Sequence, residues 1–317
     1  MKFSSIVIGL GNIGLTFDLE GDKNTIFSHT KAYMKSNNFN LIAGIDKDQK
    51  KQNEFKEYSS AKTFSDINSF KKEFKQVDVI SICTPTHIRL SLFKEVLTLN
   101  PKLIIIEKPI ATTIKEANEI KELASRRKIK LYINYMRRVE PFFMNIKNTL
   151  QSTNVKSITV NYTNGLYTNA SHFIDLMHYF FGMEKKIQLI SLQKMEKDYN
   201  ATFVLYYENF HVVFIGLDNL DYSLGTVDII QKDSRILIKD WGFEVDYFDS
   251  VEDPLFPELK MLQKKELELY PNMQEYMSYV MKHIYNILND DESIISSIDS
   301  SIETLTSCEE IKNASNL

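Results

Sequence analysis

The run Ser5-Ile6-Val7-Ile8 leads straight into Gly9-Leu10-Gly11-Asn12-Ile13-Gly14, a GxGxxG arrangement directly after a strand-like segment. In such a loop the first glycine allows a tight turn, the second lets a pyrophosphate approach the backbone, and the third allows close helix packing. Asn12 and Ile13 fall inside the loop and share its assignment as cofactor-binding positions. A helix starting there would turn free N–H groups and a positive dipole end toward phosphates. The next strand-like run, Leu41-Ile42-Ala43-Gly44-Ile45, ends in Asp46. A carboxylate at that point accepts hydrogen bonds from ribose hydroxyls and repels a 2′-phosphate, which favours NAD over NADP. Lys47 and Lys50 keep NADP open. Asp46 lies 32 residues beyond Gly14, where about 20 is usual. The polar stretch Phe17–Ser28 accounts for the surplus and is expected to be a surface excursion, with helix resuming at His29.

Three further clusters hold groups able to do chemistry. Cys83-Thr84-Pro85-Thr86-His87 and Glu107-Lys108-Pro109-Ile110 each follow an apolar β-branched run, and open α/β sheets bind ligands at the carboxyl ends of their strands. Cys83 reads as a strand residue rather than a nucleophile. His87 has two open readings, a cap or a cofactor contact, and Lys108 taken alone can be a solvated charge. In the third cluster a helix from Ser171 places His172, Asp175 and Tyr179 on one face, and a histidine beside a carboxylate has the makings of a general base. Asn134, Arg137 and Arg138 follow a later strand and could meet substrate hydroxyls or a phosphate; a structural role for Arg138 stands equally open.

The elements that must position these residues follow from periodicity. Strands are expected at 5–9, 41–46, 77–84, 103–107 and 130–134, with an edge strand at 62–64 and helices at 30–36, 88–99 and 114–126 between them. That alternation is the pattern of βαβ units and a parallel sheet, which the family resemblance given below implies is a Rossmann sheet. After Pro141 the pattern changes to helices at 142–150 and 171–181, and strands at 158–162, 187–192, 202–207, 211–216, 225–231, 235–239 and 244–248. Turn signals at hairpin spacing make this an antiparallel sheet, and the family resemblance given below implies that it is open. Helices at 271–288 and 297–312 follow. The fold class is therefore α/β plus α+β. A dinucleotide-binding domain is expected over 1–125, and a substrate-binding and oligomerisation domain over 126–317.

Composition sets outer bounds. Of 317 residues, 38 are Lys or Arg and 42 Asp or Glu, a net charge of −4. The absence of a basic excess argues against nucleic acid as a partner. Two cysteines without ligand spacing argue against a disulfide framework or a metal site, so no metal is expected. The short, glycine-broken N-terminal apolar run and the lack of any 18-residue apolar stretch give the expectation of a cytoplasmic protein without a membrane anchor. Aromatic and aliphatic residues dense on the second sheet predict a homodimer or homotetramer built on it.

The ordered segments GLGNIG, CTPTH, EKPI, NYMRRVEP and GLYTNASHFIDL resemble the glucose-fructose oxidoreductase and inositol dehydrogenase (Gfo/Idh/MocA) family of NAD(P)-dependent oxidoreductases. By motif the resemblance covers residues 1–182. It implies that Lys108 is the catalytic-site lysine, that Thr84, Pro85 and Glu107 line the nicotinamide side together with Cys83 and His87, and that His172 takes the hydroxyl proton. Lys108, Asn134, Arg137, Arg138, Thr168 and His172 are the expected substrate contacts. Many members carry an aspartate four residues before this histidine; here Thr168 stands there, and Asp175 is the expected substitute. The resemblance implies hydride transfer between nicotinamide and a sugar, with a nucleotide-activated amino sugar as the leading substrate. A cyclitol dehydrogenase and a non-catalytic, NAD-bound regulator are the alternatives.

Overall fold

The computed structural model describes residues 2–19, 22 and 24–314. They form two compact units by Cα proximity, one from 1–139 with 274–302 and the other from 140–273 with 303–317.

The first unit carries a parallel six-stranded sheet in the order β3-β2-β1-β4-β5-β6. Its strands are β1 (Phe3–Ile8), β2 (Phe39–Ile45), β3 (Lys62–Phe64), β4 (Val79–Ile82), β5 (Leu103–Ile106) and β6 (Lys130–Ile133). Every residue of β4 and β5 is buried, as strands covered on both faces require. The polar residues singled out above start where the strands stop: Asp46, Cys83, Glu107 and Asn134 each lie just past a strand's carboxyl end. Helices α1 (His29–Lys35), α2 (Gln49–Ser59), α3 (Ile67–Glu73), α4 (Arg89–Val96) and α5 (Ile114–Arg126) connect the strands. α2 and α3 escaped the sequence reading because each buries only two side chains, Gln52 and Phe55 or Ile67 and Phe70, too few to create a period. The sheet also passes the expected boundary at 125/126, since β6 pairs with β5.

The glycine loop is followed by one helical turn rather than a full helix. Leu15 donates its N–H to Gly11 O at 2.8 Å, and a short 3₁₀ turn covers Thr16–Asp18. The ladder then resumes across the excursion, with His29 N–H on Ile13 O at 3.0 Å and Thr30 N–H on Gly14 O at 3.2 Å. His29 and Thr30 thus take the places that residues 17 and 18 would hold in an unbroken helix. The insertion is Phe17–Ser28, and without it Asp46 stands at the usual separation of about 20 from Gly14.

The expectation of a surface excursion needs correcting. Asp18, Thr25, Ile26 and Ser28 are buried; Asp18 accepts the N–H groups of Phe27 and Ser28, the latter at 2.6 Å. Ile26 N–H reaches Gln274 O at 2.7 Å, and the Tyr276 hydroxyl donates to Phe27 O at 2.9 Å. An acidic residue and its neighbours are retained inside because their polar groups are bonded. Glu20, Gly21 and Lys23 of this stretch lie outside the described residues.

The second unit holds α6 (Pro141–Thr149), α7 (Ser171–Phe181) and an eight-stranded sheet of β7 (Val155–Tyr162), β8 (Lys186–Lys194), β9 (Tyr199–Tyr206), β10 (His211–Gly216), β11 (Gly225–Gln231), β12 (Ser234–Lys239), β13 (Glu244–Glu252) and β14 (Lys260–Lys265). The strand order is β14-β13-β12-β11-β7-β10-β9-β8. All pairs are antiparallel except β7 with β10, because the chain leaves β7 through α7 and returns by way of two other strands. Phe203 and Phe214 stack at 4.6 Å on the covered face. β14 was not expected; five of its six residues are exposed, so it lacks the alternation that marks a half-buried strand. The last helices are α8 (Tyr276–Leu288) and α9 (Ile298–Asn313). α8 packs on α1 in the first unit.

Candidate active site

In the first unit the carboxyl ends of β1, β2, β4 and β5 bring the glycine loop, Asp46, Thr84 and the Glu107-Lys108 segment to one edge of the sheet. Gly9 has φ +92°, and a Cβ there would come within 2.9 Å of the Cys83 and Thr84 backbone. A Cβ on Gly14 would strike Gly9 O at 2.0 Å. Both glycines are obligatory for chain packing. Gly11 differs: a Cβ there meets nothing nearer than the Lys51 ammonium at 3.8 Å, so its open side is free for a ligand. Asn12 is exposed and Ile13 half-buried beside it.

The Asp46 carboxylate accepts Leu10 N–H at 2.8 Å and Asp48 N–H at 3.0 Å, tying the second strand end to the glycine loop. Thr84 is buried and its hydroxyl oxygen has no hydrogen-bond partner among the described residues. A buried hydroxyl without a partner beside an open glycine is what a polar ligand would complete. An open glycine turn and an unpartnered buried hydroxyl on one sheet edge fit a dinucleotide.

Beneath this edge runs a buried polar chain. Glu107 Oε1 accepts from Asn134 Nδ2 at 2.6 Å and pairs with His29 Nε2 at 2.8 Å. His29 Nδ1 meets Ser81 Oγ at 2.9 Å, and Ser81 Oγ meets the Tyr33 hydroxyl at 2.8 Å. Burial alone would raise the Glu107 carboxyl. Its hydrogen bond and electrostatic attraction to His29, the Asn134 amide and the Arg89 cation together hold it below the ordinary glutamate value. Burial, reinforced by the charge of Glu107, pushes the Cys83 thiol well up, so it is not a thiolate nucleophile.

Lys108 is half-buried, and the Lys108–Pro109 peptide bond is cis. Pro85 and His87 are exposed. Arg137 and Arg138 are both buried, and Arg138 donates to Ile295 O at 3.4 Å, a contact within the fold. Sequence reasoning missed Arg89, whose Nε donates to Thr84 O at 3.0 Å and whose Nη1 donates to the carbonyl oxygens of Glu107 and Pro109. The available signal was composition, since Arg89 is the first arginine in a chain of 32 lysines and six arginines.

In the second unit His172 sits half-buried on α7. Asp175, one turn on, is buried and accepts from Thr304 Oγ1 at 3.3 Å. The carboxylate at Thr168 is a different one. Asp198, in the turn between β8 and β9, accepts Thr168 N–H at 2.8 Å, Thr168 Oγ1–H at 2.7 Å, Tyr167 N–H at 3.1 Å and Tyr199 N–H at 2.7 Å. Gly165, at φ +99°, leaves room for it, for a Cβ there would lie 2.4 Å from Asp198 Oδ2. No spacing in the sequence pairs residue 198 with residue 168.

Residues 3–135 match the family model described as "Oxidoreductase family, NAD-binding Rossmann fold" (GFO_IDH_MocA). Residues 3–135 are thus similar to the NAD-binding Rossmann domain of that oxidoreductase family. No curated protein matches it by sequence. Solved structures share its fold over nearly the whole length. A dehydrogenase (MviM) from Clostridium difficile is similar at 17% identity and a TM-score of 0.77, covering 99% of this chain and 100% of that one. UDP-N-acetylglucosamine 3-dehydrogenase GnnA from Acidithiobacillus ferrooxidans gives 13%, 0.77, 99% and 98%. An oxidoreductase from Agrobacterium radiobacter, in complex with NAD+, L-tartaric acid and magnesium, gives 14%, 0.76, 100% and 97%.

Proposed function

We propose that this protein is a Gfo/Idh/MocA-type oxidoreductase that transfers a hydride between NAD and a secondary hydroxyl or ketone of a sugar, with a nucleotide-activated amino sugar as substrate. The observation that carries the reading is the Glu107-Lys108-Pro109 turn at the carboxyl end of β5, on the same sheet edge as the glycine loop and Thr84. The similarity in fold to a UDP-N-acetylglucosamine 3-dehydrogenase supports the substrate class.

Gly9, Gly11, Gly14 and Asp46 hold the dinucleotide, with Asn12, Ile13, Cys83, Thr84, Pro85, His87 and Glu107 around it. Bound NAD supplies the hydride acceptor. A hydroxyl carbon releases hydride only as its oxygen loses a proton, so the chemistry needs a cation for the developing alkoxide and a base for the proton. Lys108 is the cation and His172 the base. Asp175, Asn134, Arg137, Arg138 and Thr168 complete the proposed substrate and catalytic set. The protein works in the cytoplasm as a dimer or tetramer; exposed apolar side chains on the second sheet, such as Ile190 and Ile230, support that assembly. Among the described residues no helix is long and apolar enough to cross a membrane.

The test is single-turnover NADH formation on a panel of nucleotide sugars, free sugars and cyclitols. Lys108→Met and His172→Ala should each lose about 10²–10⁴-fold in rate while NAD affinity changes little. Turnover of cyclitols alone would correct the substrate and keep the reaction class. Thr168, where a family aspartate is expected, favours a second reading as an NAD-bound regulator; tight NAD binding with no turnover on any polyol would select it.

A further inference from the structure

We propose that Arg89 is the positioning residue for Lys108, acting through the backbone on both sides of it. The inference rests on the reading of Lys108 given above and adds the group that sets its place. Arg89 opens α4, two residues after His87, and is 5% exposed. Its Nη1 donates to the carbonyl oxygens of Glu107 and Pro109, the two residues flanking Lys108. Its Nε donates to Thr84 O at 3.0 Å. One cation therefore joins three carbonyls from two separate strand-end turns.

Past the ends of β4 and β5 these carbonyls have left the sheet ladder, and buried backbone acceptors need donors. A planar guanidinium offers several N–H groups in fixed directions, whereas an ammonium on a flexible stem does not. With the Glu107–Lys108 and Pro109–Ile110 peptide groups both held, the short segment between them that carries Lys108 is tied to Thr84. Burial draws Arg89 down to about 10, opposed by the charge of Glu107, so it stays protonated at neutral pH. A chain that uses lysine for 32 of its 38 basic residues places an arginine at this point, where only the guanidinium geometry serves.

Two measurements test the proposal on the full-length, NAD-saturated protein. The first needs no substrate: the pH profile of Lys108 acetylation by acetic anhydride, read by peptide mass spectrometry, with exposed Lys156 as internal control. In Arg89→Lys, which keeps the charge and loses the fork, and in Arg89→Met, the Lys108 profile should move while that of Lys156 stays. An unmoved Lys108 profile in either variant, once folded, overturns the proposal. The second is a double-mutant cycle on NADH formation with UDP-N-acetylglucosamine or whichever panel member reacts. Arg89→Lys should lower kcat by about 10- to 100-fold with little change in KM, and should cost nothing further in the Lys108→Met background. Fully additive losses also overturn it. If Lys108→Met keeps normal turnover while Arg89→Lys still moves the labelling profile, the reading of Lys108 fails and the positioning by Arg89 stands.

Discussion

The His29 imidazole and the Glu107 carboxylate meet at 2.8 Å with both residues buried, joining the helix that resumes after the insertion to the residue preceding Lys108. Removing His29 takes one of two donors from the buried Glu107 Oε1 and leaves Asn134 as its remaining partner. His29→Ala should destabilise the first unit by about 3 kcal/mol, measured by urea denaturation near neutral pH. The pH dependence follows from the sign of the Glu107 shift. Its folded value lies below its unfolded value, so its contribution is complete above the unfolded value of about 4.3 and fades as pH falls through the folded one. Glu107→Gln should therefore be less stable at neutral pH and lose less on acidification. Parallel stability curves for the two proteins below pH 5 would contradict this.

Asp18 should matter although it lies in an insertion. It accepts the N–H groups of Phe27 and Ser28 and lies 3.8 Å from the Lys31 ammonium, with both side chains buried. Asp18→Ala takes the acceptor from the buried Ser28 N–H and the half-buried Phe27 N–H and the counter-charge from Lys31, at a cost of about 3 kcal/mol. Asp18→Asn keeps one acceptor oxygen and should lose roughly half as much. Thermal melting of both variants measures the difference, and an unchanged melt for Asp18→Ala would mean that the segment contributes nothing to the fold.

Asp198 gathers four donors, three of them from the turn that leads into the helix of His172. Asp198→Ala should destabilise that turn by about 2 kcal/mol and speed amide exchange at Tyr167 and Thr168. Gly165→Ala should have a similar effect by a different route, a Cβ driven against Asp198 Oδ2 at a positive φ. Hydrogen exchange read by mass spectrometry over 165–172 distinguishes local loosening from global unfolding.

Asp46 sets the expected cofactor preference. NAD should bind more tightly than NADP, and Asp46→Asn should raise the NAD dissociation constant about tenfold while narrowing the gap between the two cofactors. Because Asp46 also holds Leu10 N–H, Asp46→Ala should lose more affinity than Asp46→Asn. Titration by NADH and NADPH fluorescence checks both, and a native preference for NADP would reverse the assignment.

The sequence by itself determined the parallel sheet, the glycine loop and the strand-end placement of Asp46, Thr84 and Glu107. Each of these is a local pattern: an apolar β-branched run, a glycine spacing, a polar residue where the run stops. The edge strand at 62–64 and the helix at 171–181 were legible for the same reason. What only the tertiary structure decided are pairings between residues far apart in the chain. His29 meets Glu107 across 78 positions, Arg89 reaches Pro109 across 20, and Asp198 reaches Thr168 across 30. No spacing or period marks such pairings, because a buried hydrogen bond depends on where two backbones are brought together. The insertion combines both cases. Its length was countable from the glycine loop to Asp46, but its burial depended on Gln274 and Tyr276, which the fold alone carries to its side.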